Sequence, residues 1–96
     1  MPKLNFRYDV RLPVMILQEG KRFVAYTPAL DLSTSGKTQK QAKEHFGEAL
    51  HVFLEELADA GTIDGVLKGL GWRKVKAQWQ APKIVSHSSE RIVIPA

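Results

Sequence analysis

One stretch of the chain decides the fold: residues 26–57, YTPALDLSTSGKTQKQAKEHFGEALHVFLEEL. It passes from the end of an apolar strand through a polar loop at residues 33–37 into a helix, and Thr38 and Gln41 have the spacing of a helix-capping box. Apolar residues then recur every three or four positions, at Ala42, Phe46, Ala49, Leu50, Phe53 and Leu57. Their side chains share one face of the helix, which a sheet must cover.

The residues before this stretch predict the first two strands of that sheet. Apolar and polar residues alternate over residues 7–16, and the apolar set is Tyr8, Val10, Leu12, Val14 and Ile16. Pro13 favours an edge strand or a bulge, because proline cannot donate to a neighbouring strand. A turn at residues 19–21, where Gly20 accepts a positive φ, leads into a returning strand over residues 22–27.

A third strand completes the predicted sheet. After Pro28, Leu30, Leu32 and Thr34 alternate with polar residues, which indicates a short strand before the helix. The expected fold class is therefore α+β: a small antiparallel sheet in βββα order on one long amphipathic helix, then a short helix and a β-rich C-terminal extension. Thr62 can cap the short helix, and Gly71 suits its left-handed stop.

The predicted core lies between the long helix and the hairpin. We expect the helix residues Phe46, Leu50, Phe53 and Leu57 to meet the strand residues Val14, Ile16 and Val24.

This order resembles the HicB family of antitoxins over roughly residues 12–72. The similar segments are Tyr26-Thr27-Pro28-Ala29-Leu30, Ser35-Gly36-Lys37-Thr38 and Glu48-Ala49-Leu50. The resemblance implies a partial RNase H-like fold without nuclease activity, in a protein that neutralises HicA, a small RNA-cleaving toxin. The chain departs from the family at Lys37, where an acidic residue is frequent, and it lacks room for a helix-turn-helix or ribbon-helix-helix domain. We therefore expect an orphan or short form without a DNA-binding domain.

Composition predicts one small domain. The chain has 96 residues, of which 44% are hydrophobic, and a domain of this size buries only a modest core, so a homodimer is expected. The chain has no cysteine, which excludes disulfides and thiolate chemistry. Its first residues lack the apolar core of a signal peptide, and no run is long enough to cross a membrane, so a cytoplasmic location is expected.

The positive charge is concentrated after residue 71. Residues 1–71 hold nine Lys/Arg and nine Asp/Glu, whereas residues 72–96 hold five Lys/Arg and one Asp/Glu. We therefore divide the chain into a HicB-like core at residues 1–72 and a basic extension at residues 73–96. Within the extension, residues 83–85 and 91–94 are β-prone and flank a Ser-His-Ser-Ser turn. They are interpreted as added strands or as an arm that grasps a partner.

Aromatic and basic side chains alternate at the start of the extension, at Trp72, Arg73, Lys74, Lys76 and Trp79. Such a composition can stack bases and contact phosphates, which predicts weak, nonspecific binding of nucleic acid at most. The alternative is that both tryptophans close the core and the cations only solubilise the segment.

Three patterns that could carry chemistry fail on spacing. Ser35-Gly36-Lys37-Thr38 reproduces the end of a phosphate-binding loop, but Asp31 occupies the position of its first glycine. His45 and His51 are six residues apart and do not share a helix face, and His87 is remote in sequence. The helix carboxylates follow the spacing of a solvated face with charge pairs. No catalytic, cofactor-binding or metal site is predicted.

The predicted function is that of a noncatalytic HicB-like antitoxin that binds and occludes a HicA-like toxin. Two alternatives stay open: a small nucleic-acid-binding module that uses the basic, tryptophan-containing extension, and an orphan domain that only self-associates.

Overall fold

The computed structural model describes residues 10–95 and confirms the α+β class. In chain order, its elements are β1 (Met15–Glu19), β2 (Arg22–Thr27), β3 (Leu32–Gly36), α1 (Gln39–Ala60), α2 (Ile63–Gly69), β4 (Arg73–Val75) and β5 (Gln78–Gln80). Strands β1, β2 and β3 form an antiparallel sheet in that order, and β4 and β5 form a separate hairpin.

The first hairpin turns through Gly20 and Lys21, as predicted. Glu19 pairs with Arg22, so the connection has two residues, and Gly20 has a φ of 61°. Among the described residues, Lys21 is not one of those with positive φ, which is the pattern of a type II′ turn. The predicted second strand, Arg22–Thr27, is confirmed residue for residue.

The predicted first strand is wrong in its position. Tyr8 lies outside the described residues, and Val10, Leu12 and Val14 precede β1, which begins at Met15. Met15 pairs with Tyr26, and β2 ends one residue later at Thr27, before Pro28, so the described residues further upstream have no residue of β2 opposite them. Of the residues in the alternating stretch, only Met15 and Ile16 belong to β1.

The third strand predicted between Pro28 and the helix is confirmed as β3, so the polar loop predicted at residues 33–37 is wrong for its first four residues, which belong to this strand. Thr34 faces the helix, where its hydroxyl donates to the carbonyl oxygen of Ala42 at 3.0 Å. Gly36 lies so close to the helix start that a Cβ would stand 2.6 Å from the Ala42 nitrogen. The two serines face the other side, so this strand needs no large apolar residue there.

Helix α1 begins at the predicted pair of Thr38 and Gln41, in a variant of the capping box in which Gln41 reaches the residue before the N-cap. The Thr38 hydroxyl accepts a hydrogen bond from the Gln41 backbone N–H at 3.0 Å, and the Gln41 side-chain oxygen accepts from the Lys37 N–H at 2.6 Å. The helix runs for 22 residues and ends at Gly61, whose φ of 69° is a left-handed stop.

The core consists of two clusters. The helix–sheet cluster is Ala25, Ala42 and Phe46, bordered by Ile16, Phe23 and Leu50 among others. The tryptophan cluster is Ala29, Leu30, Leu67, Trp72 and Trp79.

The predicted helix–strand contacts are confirmed for Phe46, Leu50 and Ile16 and are wrong for two strand residues. Val14 is exposed, and Val24 pairs with Leu17 on the face of the sheet that points away from α1. The register set by the turn at Gly20 places alternate residues of β2 on the side of the sheet that faces the helix. On β2 these residues include Phe23 and Ala25.

The second half of α1 packs against a different partner from the one predicted. Phe53 borders the tryptophan cluster rather than the helix–sheet cluster, and Leu57 is half-buried. A helix of 22 residues is about 33 Å long, whereas strands of five or six residues span about 20 Å. The helix therefore outruns the sheet, and the elements after it cover the remainder.

The ends of α2 agree in part with the prediction. Gly71 follows α2 with the predicted positive φ, at 91°, whereas Thr62 occupies the N-cap without a side-chain capping bond.

The extension divides into a hairpin and an arm. The β4–β5 hairpin packs through Trp79 against the other residues of the tryptophan cluster. Residues 81–95, which we call the arm, contain no helix or strand, so the β-prone runs at 83–85 and 91–94 do not pair with any other described residue.

Candidate interaction surfaces

The two tryptophans of the basic segment belong to the core. Trp72 is 6% exposed, and its ring N–H donates to the carbonyl oxygen of Ala29 at 2.8 Å. Trp79 is 8% exposed, and its ring N–H donates to Asp64 at 3.1 Å. A buried ring that has already used its only donor cannot offer a free face to a base. This placement favours the core interpretation for both tryptophans.

The three cations of the segment are exposed and differ in their partners. Lys74 pairs across the hairpin with Trp79, and its ammonium lies 5.5 Å from the centre of that ring and 3.7 Å from the Asp64 carboxylate. Arg73 and Lys76 form no ion pair within the described part of the chain. Contacts of these cations with nucleic acid stay a prediction.

A groove runs along α1 on the side of β3. It encloses about 510 Å³ and is lined by Leu32, His45, Glu48, Ala49, Val52, Phe53 and Glu56. Glu48, Val52 and Glu56 follow one another at helix spacing, and His45, Ala49 and Phe53 form the adjacent row. Val52 is 52% exposed, so an apolar side chain lies in the open between two carboxylates. We call this the carboxylate-rimmed groove.

The charge of α1 is uneven along its length. Both lysines of the helix, Lys40 and Lys43, lie near its start, and residues 44–60 contain five Asp/Glu and no Lys/Arg. One of these carboxylates, Glu55, contacts His51 at 3.1 Å on the exposed surface. The groove therefore lies on the acidic part of a chain whose overall charge is positive.

The face of the sheet opposite α1 carries a group of apolar and aromatic side chains beside the two serines of β3. Met15, Leu17, Val24 and Tyr26 point to this outer sheet face, and Leu17 is 45% exposed. The Tyr26 hydroxyl donates to the Asp31 carboxylate at 3.1 Å. That hydrogen bond raises the pKa of Tyr26, because it stabilises the protonated phenol beside a negative charge.

The arm exposes most of its large apolar side chains. Val85 is 95% exposed, and Ile92, Val93 and Ile94 are each at least three-quarters exposed. The molecule measures 60 × 28 × 21 Å, with a radius of gyration of 16.4 Å against about 12 Å for a compact chain of this length.

Side chains suited to metal or acid–base chemistry do not converge. Over residues 10–95, no group of three or more His, Asp and Glu residues could hold a metal ion. The His45 ring donates through Nδ1 to the Ser35 carbonyl oxygen at 2.7 Å, His51 contacts Glu55, and His87 lies in the arm.

No family model, curated protein or solved structure matches this chain. The described residues include no helix that is both long and apolar enough to cross a membrane.

The sequence contains signals for the outer sheet face and for the carboxylate-rimmed groove, and the prediction overlooked both. Val14-Met15-Ile16-Leu17 is apolar without alternation, which is typical of a strand with two apolar faces. Glu48, Val52 and Glu56 place an apolar residue on the charged side of α1. Neither pattern by itself identifies the residues that pack against the exposed apolar side chains.

Proposed function

We propose that the chain is a noncatalytic, HicB-like antitoxin that binds a small, basic, HicA-like RNA-cleaving toxin and also self-associates as a homodimer. The observation that carries this proposal is the carboxylate-rimmed groove, an apolar channel with Glu48 and Glu56 beside the exposed Val52. The βββα order supports it further, because this is the order that the resemblance to the antitoxins implies. A role against an RNA-cleaving toxin would place the protein in the cytoplasm.

The groove suits a partner that presents both cationic and apolar side chains. Its two rim carboxylates attract Lys or Arg, and Val52, Phe53 and Leu32 supply an apolar surface that a bound partner would cover. An enzyme that cleaves RNA needs a cationic surface to hold phosphates. A chain of 10.8 kDa seated on that surface would block RNA by occupancy, without chemistry of its own.

The test is co-purification with a small basic toxin encoded beside this chain, followed by an RNA-cleavage assay. We expect the chain to inhibit cleavage at an equimolar ratio. Glu48→Lys combined with Glu56→Lys should raise the dissociation constant by at least about a hundredfold, because like charges then face each other. Glu44→Lys with Asp59→Lys is the matched control, since both are exposed positions of α1 that do not line the groove.

Two outcomes would contradict the proposal. Full inhibition by the Glu48→Lys/Glu56→Lys variant would remove the groove from the interface, and absence of binding by the native chain would remove the antitoxin role. Circular dichroism spectra that match the native spectrum establish that each variant is folded.

The nucleic-acid alternative now depends on the cations alone. Burial of Trp72 and Trp79 takes away the stacking surfaces, and Lys74 is shared with Asp64. Arg73 and Lys76 on the exposed hairpin favour at most a weak contact with phosphates. Binding of a random oligonucleotide that falls steeply with salt, and that Arg73→Ala/Lys76→Ala abolishes, would support this alternative.

A further inference from the structure

The open edge of the sheet lies on β1, and the hairpin register identifies its free backbone groups. In a two-residue hairpin the closing pair, Glu19 and Arg22, is hydrogen-bonded, and pairs then alternate along the strands. Leu17 and Met15 therefore bond to β2, whereas Ile16 and Gln18 direct their N–H and C=O groups outward. Within residues 10–95 no strand pairs with this edge.

The opposite edge, on β3, is partly closed. Ser35 pairs with Val24 without exchanging hydrogen bonds, so its carbonyl oxygen points outward. The His45 ring donates to that oxygen at 2.7 Å and fills the position that an added strand would take. Strand β3 is also polar, so β1 is the edge that favours another apolar strand.

The arm provides a segment of matching chemistry. Residues 91–94, Arg-Ile-Val-Ile, are β-branched at three of four positions, and all three apolar side chains are exposed. An extended segment of 13 residues, from 83 to 95, reaches about 40 Å, which is enough to cross to a neighbouring molecule.

We propose that residues 91–94 of one copy add to the β1 edge of a second copy as an antiparallel fourth strand, so that two chains exchange arms in a symmetric dimer. The proposal rests on the self-association included in the proposed function. Antiparallel addition sets Arg91 opposite Glu19, where their opposite charges attract, and sets Ile92 opposite Gln18, Val93 opposite Leu17 and Ile94 opposite Ile16.

This register satisfies both the backbone and the side chains. Ile92 and Ile94 exchange hydrogen bonds with the outward groups of Gln18 and Ile16. Val93 covers Leu17 on the outer sheet face, and Ile94 extends the helix-facing side next to Ile16. An edge strand with an apolar run and an arm with exposed isoleucines each gain the partner that neither finds among residues 10–95.

Engineered cysteines test the register directly, because the native chain has none. Leu17 and Val93 would form a pair without hydrogen bonds, whose Cα atoms lie about 4.5 Å apart, within the range of a disulfide. A tagged Leu17→Cys chain is mixed with an untagged Val93→Cys chain, oxidised and separated under non-reducing conditions. We expect a covalent tagged–untagged dimer, and at most a trace of it when Val85→Cys replaces Val93→Cys.

Three outcomes of the cross-linking would overturn the exchange. One is a yield no greater than that of the Val85→Cys control. Another is an intramolecular disulfide when both cysteines stand in one monomeric chain, which would mean that the arm folds back on its own β1. The third is preferential cross-linking of Leu17→Cys to Tyr8→Cys, which would assign the edge to residues 1–9.

Proline substitution separates arm exchange from self-association in general. Ile92→Pro removes an N–H that the register uses and should raise the dimer dissociation constant at least about tenfold, whereas Ile92→Thr, which keeps that N–H, should raise it less. A native dimer that Ile92→Pro leaves unchanged would defeat arm exchange and leave self-association standing. A native chain that light scattering finds monomeric at high micromolar concentration would defeat both.

Discussion

The body of the molecule, residues 10–80, and its arm, residues 81–95, both contain apolar residues but bury them to opposite extents. In the body, Ala25 and Ala42 are wholly buried, because β2 and α1 lie against each other; in the arm, Val85 is 95% exposed. A helix completes its hydrogen bonds within itself, but a strand needs a neighbour. β-propensity in the arm therefore shows which conformation the segment prefers and leaves its partner undetermined.

The largest expected effect tests the buried side of this comparison. Phe46→Ala should lower the free energy of unfolding by about 3 to 5 kcal/mol, because it leaves a cavity between α1 and the sheet. Val85→Ala in the arm should change it by less than about 0.5 kcal/mol. Urea denaturation of both variants measures the difference. Equal losses would mean that the arm is packed as tightly as the core.

The next effect tests whether the residues after α2 belong to the body. Trp72→Phe removes the donor to the buried carbonyl of Ala29 and should cost about 1 to 3 kcal/mol. Trp79→Phe should cost less, since its acceptor, Asp64, is exposed and can bind water instead. If urea denaturation finds both variants as stable as the native chain, the tryptophan cluster would not contribute to the body.

A smaller effect compares two caps. Thr38→Ala removes the side-chain bond to the Gln41 N–H and should lower stability by about 1 kcal/mol. Thr62→Ala should have a smaller effect, because Thr62 forms no capping bond to α2. Thermal unfolding followed by circular dichroism distinguishes the two variants. The reverse order would contradict the described helix starts.

The smallest effect concerns the outer sheet face and its pH dependence. Because the folded pKa of Tyr26 is raised, the bond to Asp31 contributes stability below the ordinary tyrosine pKa of 10.0 and loses it as pH rises through the folded value. Asp31→Asn should lower the pKa of Tyr26 toward the ordinary value, and asparagine tolerates the positive φ of residue 31. Ultraviolet titration in a Tyr8→Phe background measures the change. An unchanged titration curve would show that the bond does not form in solution.

Local chemistry explains which parts of the fold the sequence predicted. The start of α1 follows from Thr38 and Gln41, and the returning strand follows from Gly20, because each signal lies within a few residues of its effect. The first strand was misplaced because its limit depends on where β2 ends, at Thr27 before Pro28. The alternation of Leu32 and Thr34 indicated β3, but Ser33 and Ser35 also suggested a loop, and only the pairing of this segment with β2 decides that it is a strand.

The candidate surfaces were harder to predict than the fold. Trp72 and Trp79 drew attention as an aromatic–basic motif, yet their role depends on Ala29 and Asp64, which are 43 and 15 residues away in sequence. The carboxylate-rimmed groove joins Leu32 of a strand to Val52 of a helix, and no local pattern connects these two residues. Surfaces of this kind depend on tertiary contacts.

The turn of the β4–β5 hairpin implies an order of folding. Lys76 and Ala77 both have positive φ, at 51° and 64°, in a turn whose favoured residues are asparagine and glycine. Two side chains in this strained conformation make the turn a poor site of nucleation, so the hairpin should form only after α2 and the β2–β3 connection have built the surface that receives Trp79. The hairpin would then be a late step of folding, and Ala77→Gly should increase the rate at which it forms.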